Sequence, residues 1–106
     1  MRTTLHQLEA TILQRRSADP ASSYVAKMAH KGRAKIAQKV GEEAVETVIA
    51  AMAGNREEAV GESADLLFHL LMLLADMDVP FDAVLDELER REGISGIAEK
   101  AARPKD

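Results

Sequence analysis

The chain has 106 residues, enough for one domain around a single core, and 1–106 is read as one unit. It contains no cysteine, which removes disulfides, thiolate zinc sites and cysteine nucleophiles together. Net charge is −4, and the 14 basic residues are scattered, so a nucleic-acid polymer is not an expected partner, although a single nucleotide is compatible.

Apolar content rests on Ala, Leu, Val, Ile and Met, with one Tyr, two Phe and no Trp, a profile that favours helices over strands. The expected fold class is all-α, a small bundle of about five helices. The start of the chain lacks a charged-then-apolar signal pattern, and the run 64–75 is too short to span a bilayer and is interrupted by Asp65 and His69. A cytoplasmic protein without membrane association is expected.

In chain order, Thr4-Leu5-His6-Gln7 reads as a capping box, with Leu5, Leu8, Ile12 and Leu13 spaced for one buried face before Ser17-Ala18-Asp19-Pro20 ends the helix. Ser22 or Ser23 caps a short second helix carrying Tyr24 and Met28, which stops at Gly32. A third helix runs from about Arg33 to Ala53. Its apolar residues Ala37, Val40, Ala44, Val45, Val48, Ile49 and Met52 cover about half a helical wheel, and Lys35, Lys39, Glu42, Glu43 and Glu46 fill the polar arc. Gly54-Asn55 terminates it.

The fourth helix, about Arg56 to Met77, differs from the others. From Ala64 onward its Leu, Phe and Met residues surround it on nearly every side, the mark of a buried helix. Glu58, Glu62, Asp65, His69 and Asp76 fall within a strip about 60° wide, the one polar route along it. A bundle this small cannot enclose such a helix alone, so a second copy is expected to supply cover in an intertwined homodimer. Pro80 opens a fifth helix with Phe81, Val84, Leu85 and Leu88, ending near Gly93, and Ile94 to Lys100 forms a last turn or crosses to the partner.

Chemistry concentrates in two acidic phrases, Glu42-Glu43-Ala44-Val45-Glu46 and Glu62-Ser63-Ala64-Asp65. With about 3.6 residues per turn, Glu43 and Glu46 share a face, as do Glu62 and Asp65. Like charges about 5 Å apart repel by roughly 3 kcal/mol at an effective dielectric near 20, so an inward-facing set requires a cation. Hard oxygen ligands suit Mg²⁺, with Mn²⁺ as substitute, and Mg²⁺ works by bridging substrate phosphates.

Alone, the first phrase also reads as a solvated face in which Lys39 pairs with Glu43. The second phrase abuts a segment too apolar for a surface helix, which favours a site. His69 is either a hydrogen-bonded core histidine or a metal, phosphate or carboxylate-orienting contact. Lys27, Lys31 and Lys39 are candidate phosphate contacts, Lys39 first because it shares the glutamate arc. Serine nucleophiles lack a base, Gly32-Arg33-Ala34-Lys35 is too short for a phosphate loop, and neither acidic phrase supplies the histidine of a di-iron Glu-x-x-His unit.

These phrases, with Ser23-Tyr24 and Lys27, the stretch 39–44, the phrase 64–71 and the ending Glu87-Leu88-Glu89-Arg90-Arg91-Glu92-Gly93-Ile94-Ser95-Gly96, resemble the phosphoribosyl-ATP pyrophosphatases of histidine biosynthesis, within the all-α MazG-like superfamily. The resemblance covers nearly the whole length. It implies hydrolysis of 1-(5-phosphoribosyl)-ATP to the AMP compound and pyrophosphate by a Mg²⁺-dependent dimer. The superfamily's metal carboxylates correspond to Glu43, Glu46, Glu62 and Asp65, and Glu42 becomes the candidate to bind a further metal or to orient and deprotonate water. It also implies that a separate cyclohydrolase takes the product, since the zinc-binding cysteines of the fused form are absent. Phe68 stands where relatives often have Tyr, which puts one hydroxyl contact in doubt. Two alternatives remain: a MazG-like enzyme for other (deoxy)nucleoside triphosphates, and a non-catalytic helical dimerisation or nucleotide-binding module.

Overall fold

The computed structural model describes residues 3–92 and Lys100. Five helices occupy this span: α1 (Thr4–Arg15), α2 (Tyr24–Lys31), α3 (Arg33–Met52), α4 (Arg56–Asp76) and α5 (Phe81–Arg91), with no strand among the described residues. Among the described residues no helix is long and apolar enough to cross a membrane. The tail Ile94–Glu99, the expected end at Gly93 and the final residues of the Glu87–Gly96 motif lie outside the described residues.

The centre of the fold is an antiparallel α3–α4 hairpin. Gly54 adopts φ +72° in the connection, a left-handed conformation glycine takes without a Cβ penalty. Asn55 then caps α4 by accepting from the Glu58 backbone N–H at 3.0 Å, and Glu57 and Glu58 in the first turn complement the positive end of the helix dipole. At the far end Arg33 clamps the hairpin, its guanidinium donating to Asp76 Oδ2 at 2.7 Å and to the Asp76 carbonyl at 3.0 Å. Arg16 donates to the Ala75 carbonyl at 2.8 Å, so two arginines satisfy acceptors at the end of α4 that lack intrahelical partners.

One core joins Ile12, Val25, Met28, Ile36, Leu71, Met72, Ala75 and Phe81, with Leu5, Leu8, Phe68, Val84 and Leu85 packed against it. It sits at the end of the hairpin where α1, α2 and α5 converge. The acidic middle of α3 and α4 lies away from that core. α5 is tied to α1 by His6 Nε2 at 2.6 Å from Asp82 Oδ1 and by the Phe81 N–H donating to Glu9 Oε2 at 2.7 Å.

Several expectations shift by a residue or a face. Thr3 rather than Thr4 caps α1, accepting from the His6 N–H at 3.1 Å while His6 Nδ1 lies 2.7 Å from the same hydroxyl, so Thr3 and His6 form the cap instead of Thr4 and Gln7. Leu13 is 42% exposed, because the buried line of α1 runs through Leu5, Leu8 and Ile12. Pro80 is the residue before α5 rather than its first turn, and Leu88 faces outward. On α3 the inward line is Ile36, Glu43 and Ala50, seven residues apart each time, whereas Val45, Val48, Ile49 and Met52 are exposed. α4 is likewise not enclosed by its own chain, with Val60 and Leu67 exposed.

Candidate active site

Ile36, Glu43 and Ala50 share one side of α3 because a seven-residue step returns nearly to the same angle on a 3.6-residue helix. That side packs on α4, and Glu43 is carried inward with it, left 7% exposed between two apolar neighbours. The reading of Glu43 as part of a solvated face therefore fails. Across the hairpin, Glu62 and Asp65 occupy the polar strip of α4. Glu43, Glu62 and Asp65 each present an oxygen, and these oxygens all lie within 4.8 Å of one another.

The charges in this cluster are not balanced from within. Glu43 Oε2 and Glu62 Oε2 are buried with no hydrogen-bond partner, a costly state for acceptors unless something else satisfies them. Glu62 is pushed up to about 7, chiefly because a hydrogen bond with Glu46 requires a proton between the two carboxylates, and further by burial and by the charges of Glu46 and Glu43. Glu46, exposed on α3, thereby joins the other three. The nearest cation is Lys39, whose Nζ is 3.7 Å from Glu43 Oε1 and 3.3 Å from Glu42 Oε1.

An all-carboxylate donor set with two orphaned buried oxygens fits a small divalent cation. Oxygens on opposite sides of an octahedral Mg²⁺ are about 4.2 Å apart, so small side-chain rotations bring this set to ligating distance. A monovalent ammonium at 3.7 Å offsets one charge and leaves the remainder.

Glu42 has a different environment from Glu43 beside it. It is exposed, accepts from Gln38 Nε2 at 2.8 Å and pairs with Lys39, and those two hydrogen bonds hold its carboxyl below the usual range. The Lys39 ammonium is pushed up, first by its hydrogen bond to Glu42. Lys27 and Lys31 are exposed on α2, and among the described residues neither pairs with a carboxylate of the cluster. His69 is 5% exposed and saturated: Nδ1 is 2.7 Å from the Asp65 carbonyl and Nε2 is 2.7 Å from the Tyr24 hydroxyl. A phosphate contact by His69 requires breaking the Tyr24 bond.

Two residues at the site carried no assigned role in the sequence. Gln38 stands four residues before Glu42, a helical neighbour that spacing alone identifies. Tyr24 is 45 positions from its His69 partner, and no local periodicity connects them. Beside the cluster, an open groove of about 600 Å³ is lined by Gln38, Gly41, Glu42, Val45, Glu46 and Ile49.

The sequence profile of the family described as phosphoribosyl-ATP pyrophosphohydrolase matches residues 5–92. A phosphoribosyl-ATP pyrophosphatase of Rhizorhabdus wittichii is 69% identical over 105 residues, covering 99% of both chains. One from Novosphingobium aromaticivorans is 69% identical over 99 residues, 93% of this chain and 92% of the relative. The protein of that name from Zymomonas mobilis is 59% identical over 102 residues, 96% of this chain and 95% of the relative.

Proposed function

This chain belongs to the phosphoribosyl-ATP pyrophosphohydrolase family, and on that premise we propose that it hydrolyses the α–β phosphoanhydride of 1-(5-phosphoribosyl)-ATP, releasing pyrophosphate and 1-(5-phosphoribosyl)-AMP in histidine biosynthesis. The observation that carries the chemistry is the convergence of Glu43, Glu62 and Asp65 within 4.8 Å, two of them with buried oxygens that lack a donor.

Glu43, Glu46, Glu62 and Asp65 are the residues that would hold Mg²⁺. When bound, such an ion neutralises phosphate oxygens around the bridge and acidifies a water. Glu42 lies at the rim of the cluster, ionised and fixed by Gln38 and Lys39. A carboxylate held below its usual range is a weak proton store and a good acceptor, so Glu42 orients the attacking water through an oxygen lone pair. Lys39, paired with Glu42 and Glu43, carries the positive charge at the same rim and meets a substrate phosphate. The groove bounded by Glu42 and Glu46 gives the nucleotide an approach to these groups.

The decisive assay compares pyrophosphate release from phosphoribosyl-ATP, dUTP, dCTP and ATP with and without EDTA. Strong preference for the first, lost on chelation, is expected. Preference for a deoxynucleotide overturns the substrate assignment in favour of a broader MazG-like activity, and binding without turnover indicates a non-catalytic module.

The working unit is proposed to be a homodimer. Val45, Val48, Ile49 and Met52 on α3, with Val60 and Leu67 on α4, leave an apolar face in water, and burial stabilises by roughly 25 cal/mol per Å². A second copy on that face also walls the groove, since Val45 and Ile49 line it together with Glu42 and Glu46. Sedimentation is expected to give a dimer for the native chain and a monomer for Ile49→Glu. A fully folded native monomer at working concentration refutes the assembly. The reaction is proposed to proceed in the cytoplasm.

A further inference from the structure

Ser23 caps α2 by accepting from the Ala26 N–H at 3.2 Å, which makes Tyr24 the first residue of the helix. Val25, Ala26 and Met28 turn into the core, and Tyr24 is left outside it, 45% exposed. The chain holds one tyrosine, two phenylalanines and no tryptophan. Phe81 is buried and Phe68 packs against the core, so Tyr24 is the ring among these that a ligand reaches.

The exposed ring is nevertheless held still. Its hydroxyl oxygen lies 2.7 Å from His69 Nε2, Phe68 backs it with centroids 6.0 Å apart and planes 27° from parallel, and His69 meets it edge-on at 5.7 Å. Both neighbours stand on the turn of α4 that follows Asp65, and His69 Nδ1 lies 2.7 Å from the Asp65 carbonyl. One imidazole therefore separates the Tyr24 hydroxyl from the backbone of a cluster residue. Lys27 and Lys31 follow Tyr24 along the same side of α2, both exposed, so the surface beside the ring is cationic and unlike the apolar face of α3 and α4. A purine offers a flat π-face that stacks on such a ring, and a side chain already immobilised gives up little rotamer freedom when it does.

We propose that Tyr24 is the platform on which the purine of the nucleotide substrate stacks while its phosphates meet the carboxylate cluster. A ribose separates the α-phosphate of a nucleotide from its base, a span comparable to the single ring between Tyr24 and Asp65. The assignment rests on the function proposed above and adds to it the residue that binds the end of the substrate where no bond breaks. Binding at that end is the same before and during the reaction, so its loss falls on KM rather than kcat.

With a single tyrosine and no tryptophan, emission in the tyrosine band comes from Tyr24 alone, a readout that needs no turnover. The native protein in Mg²⁺ is titrated with 1-(5-phosphoribosyl)-AMP and, separately, with tripolyphosphate, which has no base; free N-acetyltyrosinamide at matched absorbance corrects for light absorbed by the purine. Saturable quenching by the first and none by the second is expected. In steady-state pyrophosphate release from phosphoribosyl-ATP, Tyr24→Leu should raise KM about tenfold or more, the scale of one base–aromatic stack, with kcat little changed. Tyr24→Phe, which keeps the ring, should stay within about threefold of the native KM, and inhibition by tripolyphosphate should be the same in Tyr24→Leu as in the native enzyme. Absence of quenching by phosphoribosyl-AMP overturns the proposal, as does an unchanged KM in Tyr24→Leu or an equal loss of affinity for tripolyphosphate, the mark of a merely structural role. If Tyr24→Leu fails to fold, the emission titration of the native protein still decides. A native enzyme that releases no pyrophosphate from this substrate overturns the parent function as well, whereas an active native enzyme whose emission is not quenched overturns the stacking role alone.

Discussion

On α5, Glu87 accepts hydrogen bonds from the guanidinium groups of Arg90 and Arg91 and is pulled down to about 2, whereas on α4 Glu62 faces Glu46 and Glu43 and is pushed up to about 7. The side chain is the same, both sit on helices, and both have partners one helical turn or one helix away. The sign of the neighbours differs. On α5 the cations are one turn along the same helix, so the group is closed within itself and amounts to surface ion pairing of small net worth. Between α3 and α4 the charges converge with one ammonium at the edge, and closure requires a cation from solution. An unbalanced set of acids is therefore the better marker of a site than a large count of them.

The comparison breaks most visibly if both regions respond alike to charge removal. Glu43→Gln or Glu62→Gln is expected to lower Mg²⁺-dependent kcat/KM by about 100-fold or more, the scale of lost metal affinity, with helicity by circular dichroism retained. Glu87→Gln should leave turnover within about twofold, since its partners are local arginines. Equal losses in all three variants would mean that the cluster has no special standing.

A smaller effect sharpens the contrast through pH. In the metal-free protein Glu62 keeps a proton, between the usual carboxylate value and about 7, that the unfolded chain has released. The folded state binds more protons in that window, so stability is greatest below pH 4.5 from this group and falls as pH rises through about 7. Glu87 has the opposite sign: its contribution is present above pH 4.5 and is lost as pH falls through about 2. Calorimetric Tm from pH 3 to 8 should show the alkaline-side decline, which Mg²⁺ suppresses and Glu62→Gln removes. A Tm that rises steadily from pH 5 to 7 without metal contradicts the charge balance described here.

Much of the architecture was legible from local pattern. Ser23 and Gly32 bracket α2 as their cap chemistry predicts, and the Gly54-Asn55 pair separates two long helices. Local pattern does not locate the boundary at Thr3, because neighbouring threonines offer the same cap chemistry and only the folded chain shows His6 reaching both Thr3 and Asp82. Leu13 has the spacing of the buried face with Leu5, Leu8 and Ile12, yet the inward line runs through those three and leaves it 42% exposed. The two acidic phrases are visible as candidates, and the resemblance separates Glu42 from Glu43 and Glu46, but spacing alone does not say which of the three is buried until α3 has a defined inner line.

The order and type of the helices, the absence of thiol chemistry and the presence of carboxylates at helical spacing were determined by the sequence itself, because caps, breakers and periodicity act over a few residues. Tertiary structure decided which glutamate is buried beside Ile36 and Ala50, that Glu62 and Asp65 meet it, and that Tyr24 reaches His69 across 45 positions. Those outcomes depend on how one helix is rotated against another: a rotation of about 60° exchanges Glu43 with Glu46, and one of about 100° exchanges it with Glu42. Local spacing is nearly silent about that angle, which the packing of the whole core selects.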